Sequence, residues 1–313
     1  MLLFIAKRLA SGVGMLISVS FLAFALLSLG SENIARNILG STATQEDVNT
    51  LSSQLGLDRP FFERYFDWAI NAAQFNFGES WTFPETVSNT IQSRLGVTFA
   101  IVIVTILVSL VVAIILGVTA AIKGGWVDRL VQFIGLMGYA VPGFLVALLL
   151  VTAFAVQIPI FDAIGYVEPG TSIGGWIRSI TLPVIALAFS GIGSVANQIR
   201  GSVKDSLGLD YVRTLYARGL GFNSVVFKHV LRNAGGPALA VLGSQLVGTL
   251  GGAVFVEQIF AIPGLGQFTV QATSVSDVPA IMGLVVTTAI IVIIVNLVID
   301  LLSAALNPKV RLS

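Results

Sequence analysis

The sequence predicts an all-α polytopic membrane protein with about six transmembrane helices. Of its 313 residues, 55% are hydrophobic and only 11% are charged, whereas an average soluble domain carries about 25% charged residues. Several apolar runs reach the length of about 20 residues that a helix needs to cross a bilayer. The chain has no cysteine, which excludes disulfides and thiolate metal sites. Its net charge of +1 gives no reason to expect nucleic-acid binding.

Six apolar spans follow one another along the chain. We predict them at Leu9–Leu29, Val97–Ile122, Leu130–Gln157, Ile180–Ile199, Ala238–Val256 and Ala280–Ala305. The first span follows two basic residues, as in a signal peptide, but its apolar run is too long for a cleavable one. We therefore prefer a retained anchor. The chain then divides into an anchor (1–29), an extracytoplasmic segment (30–96), a five-helix core (97–306) and a tail (307–313).

The basic residues predict the orientation. With the N-terminus in the cytoplasm, twelve of the 17 Lys and Arg residues fall in cytoplasmic segments and five in outer segments. Because Lys and Arg accumulate in cytoplasmic loops, both termini are predicted to be cytoplasmic.

Three connections between spans carry further signals. In the 30–96 segment, Thr44 and Asp47 precede an apolar run with the spacing of a helix capping box. The 200–236 segment is cytoplasmic and basic, with six Lys or Arg against two Asp. The connection Glu257–Pro279 lies outside and is rich in Gly and Pro. Its Pro263–Gly266 stretch is either a gate above a pore or a tight turn between two spans.

Several kinds of chemistry are excluded. The sequence contains no G-x-x-x-x-G-K-[ST], so it has no phosphate-binding loop of that kind, and its single histidine rules out H-E-x-x-H. Asp300 is the only acid well inside a span, with Asn296 one turn earlier. This pair is either an ion site or an interhelical hydrogen bond, and we prefer the hydrogen bond.

The cytoplasmic stretch Leu207–Asn233 has the pattern of a short amphipathic helix. Apolar residues recur at helical spacing up to Tyr216, and Gly219 and Gly221 follow as a helix end would require. Such a helix can dock into a groove of a cytoplasmic partner. The alternative is an ordinary basic loop that obeys the positive-inside rule.

This stretch resembles the coupling segment of peptide/nickel-type ABC importer permeases, whose pattern is D-Y-V-R-T-A-x-A-K-G-L…H-x-L-R-N-x-x-x-P. The sequence carries D-Y-V-R-T at Asp210–Thr214, A-R-G-L at Ala217–Leu220, and H-V-L-R-N at His229–Asn233, followed by Pro237. Leu215 and Tyr216 depart from the small and basic residues usual in the family.

The resemblance covers nearly the whole chain. Leu55–Asp58, Pro60, Tyr65, Trp68, Phe77, Gly78 and Ser80 are similar to the outer segment of the B-type, or first, permease subunit. Pro142 and Phe144 match a Pro-x-Phe in the third span. The connection Glu257–Pro279 matches the family pattern E-x-x-F-x-x-P-G-L-G…D-x-P. Asn296, Asp300, Leu306 and Pro308 match the family's C-terminal pattern N-L-x-x-D…L-D-P-R-x-R. The P-G-D-P expected after the first span is absent, and Asn307 and Lys309 replace Asp and Arg in the tail.

The resemblance implies a type I ABC importer-like fold and a pore subunit of an ATP-driven, binding-protein-dependent importer. Di- and oligopeptides are the expected cargo, with nickel chelates, glutathione or oligosaccharides as alternatives. The implied partners are a second homologous permease subunit, two ATP-binding subunits or domains, an extracytoplasmic substrate-binding protein and membrane lipid. ATP and Mg would be bound by the partner ATPases, so we expect no cofactor and no metal in this chain, which would lie in the bacterial plasma (inner) membrane.

The resemblance also implies three sets of site residues. The ATPase-coupling set is Asp210, Tyr211, Arg213, Thr214, Ala217, Arg218, Gly219 and Leu220. The outer gate or scoop set is Glu257, Phe260, Pro263, Gly264, Leu265, Gly266, Asp277 and Pro279. The pore or packing set is Pro142, Phe144, Ser244, Gly248, Gly252, Asn296 and Asp300, in which the four-residue spacing from Ser244 to Gly252 fits a pore seam or plain helix packing.

Two rival functions come from other classes. A secondary transporter or channel would need intramembrane ionisable residues or inverted repeats, and the sequence offers one acid and no evident repeat. A membrane-embedded enzyme would have to use His229, which lies in a basic loop without a partner pattern.

Overall fold

The computed structural model describes residues 2–40 and 42–306, and these are almost entirely helical. In chain order the helices are α1 (Leu2–Leu29), α2 (Ser31–Leu39), α3 (Gln45–Gln54), α4 (Phe61–Ala72), α5 (Val87–Lys123), α6 (Gly125–Ala140), α7 (Gly143–Val151), α8 (Ile173–Leu207), α9 (Asp210–Ala217), α10 (Phe222–Ser224), α11 (Leu231–Ile259), α12 (Leu265–Ser274) and α13 (Val278–Leu306). Two π-helical segments, Thr152–Gln157 and Val225–Val230, follow α7 and α10. In these ranges the only β pairing is an isolated bridge between Glu79 and Thr86. The all-α fold class is confirmed, while the predicted tail (307–313) lies outside the described residues.

Five helical runs of the described chain are long and apolar enough to cross a membrane, and there are six if one bent pair counts as a single span. The five are Ile5–Leu29, Val87–Lys123, Ile173–Leu207, Phe222–Ile259 and Val278–Ser303. Several helices extend beyond the predicted spans, because the prediction followed only the apolar runs and the ends of these helices are polar. Residues 87–96, for example, already belong to α5, although they are not part of an apolar run.

The third predicted span, Leu130–Gln157, is not one continuous helix. It is the bent pair, in which α6 and the run that begins with α7 meet at an angle of 96°. Pro142 explains the break, because proline lacks the backbone N–H that a helix needs and disfavours helical backbone at the residue before it. Val141 is accordingly extended, with φ −100° and ψ 115°, and Pro142 caps α7.

The described chain forms two compact units. The first comprises Phe99–Ile262 and the chain from Val295, and the second comprises Leu2–Thr98 and Pro263–Ile294. Within the first unit α8 is the central helix, since 67% of its most apolar stretch is buried against 28% for the run that contains α11.

Glycines allow neighbouring helices to approach α8 closely. A Cβ on Gly193 would lie 2.4 Å from the Cα of Gly135 in α6, so the two backbones touch. A Cβ on Gly117 of α5 would lie 2.7 Å from the carbonyl oxygen of Ala196. In lipid there is little hydrophobic gain from bringing helices together, so close van der Waals packing at small residues is what associates them.

In the second unit, aromatic residues pack α4 against α1. Phe24 and Tyr65 are buried, with ring centroids 5.6 Å apart, and Phe24 and Trp68 stack at 6.3 Å. The Ser20 and Tyr65 hydroxyls form a buried hydrogen bond of 3.1 Å between the same two helices. Edge and offset contacts of this kind favour aromatic pairs beyond their buried area.

The capping box predicted in the 30–96 segment is confirmed at the start of α3. The Thr44 hydroxyl accepts from the backbone N–H of Asp47 at 3.2 Å, and the Asp47 carboxylate accepts from the backbone N–H of Thr44 at 3.2 Å. Both bonds satisfy donors that a helix N-terminus leaves unpaired.

We predict that Gly193→Ala lowers the thermal unfolding midpoint of the purified protein in detergent, because the added Cβ would overlap the Gly135 backbone. Overpacking of this kind costs about 1–3 kcal/mol. Gly201→Ala on the same helix is the matched control, since its Cβ would meet nothing within 4 Å and alanine is the better helix former by about 1 kcal/mol. Equal midpoints for the two variants would contradict the proposed backbone contact.

Candidate functional site

The short helix α9 follows α8 after the turn Gly208–Leu209. Its inner side is fixed in the core of the first unit. Val212 is 1% exposed and belongs to one hydrophobic cluster with Val225, Val226 and Val230 from the π-helical segment that follows. Leu215 also packs against this cluster. Val212 and Leu215 therefore anchor one side of α9 to this hydrophobic cluster.

Gly219 ends α9 in the way that the sequence predicts. Its φ is +83°, a left-handed conformation that glycine adopts at low cost. The N–H of Leu220 donates to the carbonyl of Leu215 at 3.2 Å, and the N–H of Gly219 donates to that of Tyr216 at 2.9 Å. This pair of bonds is the Schellman motif, which fixes the direction of the chain after a helix. By contrast, Gly221 has φ −67° and needs no such freedom.

The outer side of α9 gathers nearly all of the predicted coupling residues on one surface. Those that are exposed are Asp210, Tyr211, Arg213, Thr214, Ala217, Arg218 and Gly219. Leu220 is the exception, since it is partly buried against the cluster beneath. Tyr216, which departs from the family pattern, is also exposed at 40% and adds an aromatic ring to this surface. We call these eight exposed residues the α9 surface.

An ion cluster that the sequence analysis missed ties α6 to the end of α8. Asp128, in the first turn of α6, accepts from Arg200 Nη2 at 2.8 Å and from Lys204 Nζ at 2.7 Å, and Arg200 Nε also donates to it. Its side chain is only 12% exposed. The available signal was the four-residue spacing of Arg200 and Lys204, which places both cations on one face of the helix that leads into α9.

Most residues of the predicted outer gate set are buried. They are Glu257, Phe260, Gly264, Leu265, Gly266 and Asp277, whereas Pro263 is exposed and Pro279 is partly buried. The connection also contains α12, a helix that the sequence analysis did not anticipate. In the first unit, Phe260 accepts from the N–H of Gly165 at 2.8 Å through its carbonyl oxygen.

Asp277 joins three segments of the second unit. Its carboxylate accepts from the Thr82 hydroxyl at 2.9 Å and from the Thr82 N–H at 3.2 Å, and the Ser80 hydroxyl also donates to it. Its other oxygen accepts from the N–H of Ala280 at 3.2 Å and so caps α13. Asp277 is fully buried, so these donors replace the water that its carboxylate loses on burial.

The start of α12 is fixed by α5 within the same unit. The N–H of Leu265 donates to the Thr98 hydroxyl at 2.8 Å. Phe268 is 1% exposed, and the Arg94 guanidinium lies 5.0 Å from its ring centroid. Such cation–aromatic contacts hold a charged group over an apolar core.

Only some residues of the predicted pore or packing set lie close together in the structure. Ser244, Asn296 and Asp300 line one cleft of about 460 Å³ together with neighbouring residues of α11 and α13. A Cβ on Gly252 would touch Leu187 at 3.2 Å, whereas a Cβ on Gly248 would meet nothing within 4 Å. Elsewhere in this unit, Pro142 starts α7, and the rings of Phe144 and Phe255 lie 6.1 Å apart.

Within the described ranges, no group of three or more His, Asp or Glu side chains is arranged to hold a metal ion. The expectation of no cofactor and no metal in this chain stays a prediction.

Comparisons with known proteins match the whole length of the chain. Residues 113–312 match the family described as binding-protein-dependent transport system inner membrane component. Residues 1–102 match a second family, described as the N-terminal part of the binding-protein-dependent transport system membrane component. A Brucella abortus protein provisionally named as a peptide transport system permease is 35% identical, over 98% of both chains. A Sinorhizobium fredii protein named as a probable peptide ABC transporter permease is 32% identical, over 98% of this chain and 99% of its own. The glutathione transport system permease of Escherichia coli O1:K1 / APEC is 32% identical, over 99% of both chains.

We predict that Asp128→Asn lowers the thermal unfolding midpoint by several degrees, because two cations would lose their carboxylate. Asp205→Asn is the matched control, since Asp205 is exposed on the same stretch of α8. The midpoints of Asp128→Asn, Arg200→Gln and the double variant form a cycle that measures the pair. Additive effects in this cycle would show that the ion pair contributes nothing.

Proposed function

The chain belongs to the family of binding-protein-dependent transport system inner membrane components, and from this we propose that it is the B-type permease subunit of an ATP-driven importer of di- and oligopeptides. It is an integral membrane permease component, as its long apolar helices and its family indicate. The peptide cargo is supported by the names of its relatives. The B-type assignment rests on the sequence motifs of the outer segment.

The α9 surface is the observation that carries this proposal. A helix that transmits force must be rigid, because a flexible loop would absorb the displacement. The buried side of α9 and its Gly219 cap supply that rigidity, and its exposed side supplies charged and aromatic groups for a groove on a partner. The ion pair between Asp210 and Arg213, at 3.6 Å on a fully exposed face, is weak. Both side chains are therefore available to a partner at little cost.

The energy would come from two cytoplasmic ATPase subunits, since the sequence has no phosphate-binding loop. Their closure around ATP would push on α9, and the motion would pass into α8. Asp128 would carry part of it to α6, because the ion cluster lies at the end of α8 that leads to α9. This chain would form half of the pore, and a second, similar permease subunit would form the other half.

The distribution of basic residues supports the proposed orientation. Both termini and the α9 surface would be cytoplasmic in a bacterial plasma membrane, since most of the Lys and Arg residues then fall on the cytoplasmic side. The 30–96 segment and the connection around α12 would face outwards and receive a substrate-binding protein. The buried gate residues would support that surface, with Asp277 fixing the α12–α13 turn to the Ser80–Thr82 segment.

Glutathione is the second candidate cargo, because one relative that matches nearly the whole chain is a glutathione transport system permease. Glutathione is itself a small peptide-like molecule, so the same importer architecture would serve. Nickel chelates and oligosaccharides remain alternatives from the family resemblance alone.

The test of the proposal is the ATPase activity of the affinity-purified complex. We expect partner ATPases to co-purify and their turnover to rise several-fold with a binding protein that is loaded with a peptide mixture. Turnover that responds to glutathione and not to the peptides would favour the second cargo. A well-folded preparation without ATPase would refute the importer and revive a secondary transporter.

We predict that Gly219→Val uncouples ATP hydrolysis from transport. A β-branched residue strains the left-handed backbone by roughly 1–2 kcal/mol, which redirects the chain after α9. In proteoliposomes, peptide uptake per ATP hydrolysed should fall at least severalfold. Gly221→Val is the matched control, because a Cβ at either glycine meets nothing within 4 Å and only Gly219 has a positive φ. Normal uptake per ATP in Gly219→Val would show that the cap has no part in coupling.

A further inference from the structure

One exposed side of α4, in the second unit, is apolar. Phe62, Phe66 and Ile70 recur at four-residue spacing, so they lie on one side of the helix, and each is about three-fifths exposed. We call these three residues the α4 stripe. Large apolar side chains that no other part of the described chain covers point to a contact with lipid or with another protein.

The neighbouring side of α4 is exposed and polar. Glu63, Asp67 and Asn71 each follow one residue of the stripe, so they lie about 100° from it around the helix. The Glu63 and Asp67 side chains are 61% and 59% exposed, as far as those of the stripe. With 12 residues, α4 is too short for the run of about 20 that crosses a bilayer. Parallel apolar and polar sides on a helix of this kind are typical of the membrane interface.

The third side of α4 packs on α1 below the end of its apolar span. The Tyr65 ring centroid lies 5.3 Å from that of Phe21 and 5.6 Å from that of Phe24, and the Tyr65 hydroxyl bonds to that of Ser20. The span formed by α1 ends at Leu29. At a rise of about 1.5 Å per residue, Phe24 lies about 7.5 Å before that end. The contact therefore places α4 beside the apolar span and not beyond it.

A second span places α4 at the same depth. Val278 and Met282 of α13 are buried in the hydrophobic cluster that also contains Phe24 and Tyr65. The apolar span of α13 begins at Val278, directly after Asp277, and Met282 lies about 6 Å further along it. Two spans thus place the cluster about 6–8 Å inside the apolar layer. An interfacial helix buries its apolar side by about 5–10 Å, which is the same depth.

We propose that α4 lies along the bilayer surface on the side where α1 ends, with the α4 stripe embedded among lipid acyl chains and its polar side facing the headgroups and water. The three sides of α4 are roughly a third of a turn apart. A helix that packs sideways on a span therefore has one side directed into the bilayer and one directed out of it. The embedded helix would hold the 30–96 segment to the membrane, whatever the cargo is.

The depth and the residue types of the α4 stripe favour lipid over a protein partner. A water-soluble binding protein does not reach side chains that lie below the end of a span. A second permease subunit would reach them, but helices that associate within a membrane do so at small residues that allow close approach. The stripe consists of two phenylalanines and an isoleucine, which suit fluid acyl chains.

Nitroxide labels on single cysteines test the position of the stripe, because the chain has no cysteine of its own. Phe66→Cys and Asp67→Cys are a matched pair, since the two residues are adjacent and almost equally exposed but lie on different sides of α4. The full complex is reconstituted in vesicles of phosphatidylethanolamine and phosphatidylglycerol. Electron paramagnetic resonance then measures how often each label meets oxygen, which concentrates in lipid, and nickel ethylenediaminediacetate, which stays in water. We expect the ratio of oxygen to nickel contact to be several-fold higher for Phe66→Cys than for Asp67→Cys.

Two further variants and the wild type serve as controls. Leu26→Cys gives the ratio expected in lipid, because Leu26 is 69% exposed within the α1 span. Ile70→Cys repeats the measurement at the other end of the stripe and should agree with Phe66→Cys. The wild-type complex, treated with the same label, gives the background from cysteines of other subunits.

Two results would overturn the proposal. Ratios at Phe66→Cys and Ile70→Cys as low as that of Asp67→Cys would place the stripe in water. Labels at both stripe positions that neither reagent reaches would show that a protein covers the stripe. Because the measurement needs only the folded protein in a bilayer, its outcome is separate from that of the ATPase test of the proposed importer.

Discussion

The contact between Gly193 and Gly135 is the constraint on which the first unit depends. Two backbones can touch only where both residues lack a side chain, and in lipid such contacts hold helices together. The contact seats α6 against α8, and Gly117 seats α5 on the same helix. Because α8 also runs directly into the turn before α9, the helix that packs the unit is the one that carries the α9 surface. Stability of the core and placement of that surface therefore have a common cause.

In the proposed importer, the α9 surface and the ion cluster would be two ends of one mechanical path. The Schellman bonds at Gly219 fix α9 at its far end, and Val212 fixes its buried face. Arg200 and Lys204, on the last turns of α8, grip Asp128 of α6. Rigid contacts therefore connect α9 to α8 and, through Asp128, to α6, and a displacement of α9 would be transmitted to both helices. If any of these contacts were flexible, a motion of α9 would be dissipated before it reached α6.

Local signals explain most of what the sequence could predict. Apolar runs predicted the helices of the spans, the spacing of Thr44 and Asp47 predicted the capping box, and the glycines predicted the end of α9. Each of these features is set by residues that are close together along the chain. The break at Pro142 was missed because the apolar run continues through it. The Asp128 cluster and the Asp277 junction were also missed, since their partners lie 72 and 197 residues away and no local period records such a pairing.

The two ends of the connection between α11 and α13 carry strain that the end of α9 does not. Ala261 and Ser276 both have positive φ, +50° and +58°, at the C-terminal caps of α11 and α12. Their backbone bonds follow the same Schellman pattern as Gly219, yet each has a Cβ, which costs roughly 1–2 kcal/mol. Such strain persists only where the surroundings over-determine the backbone. At Ser276 the adjoining Asp277 supplies that support through four donors. Buried hydrogen bonds thus hold a turn that its own residue types disfavour, so the shape of this turn depends on Asp277 more than on Ser276 itself.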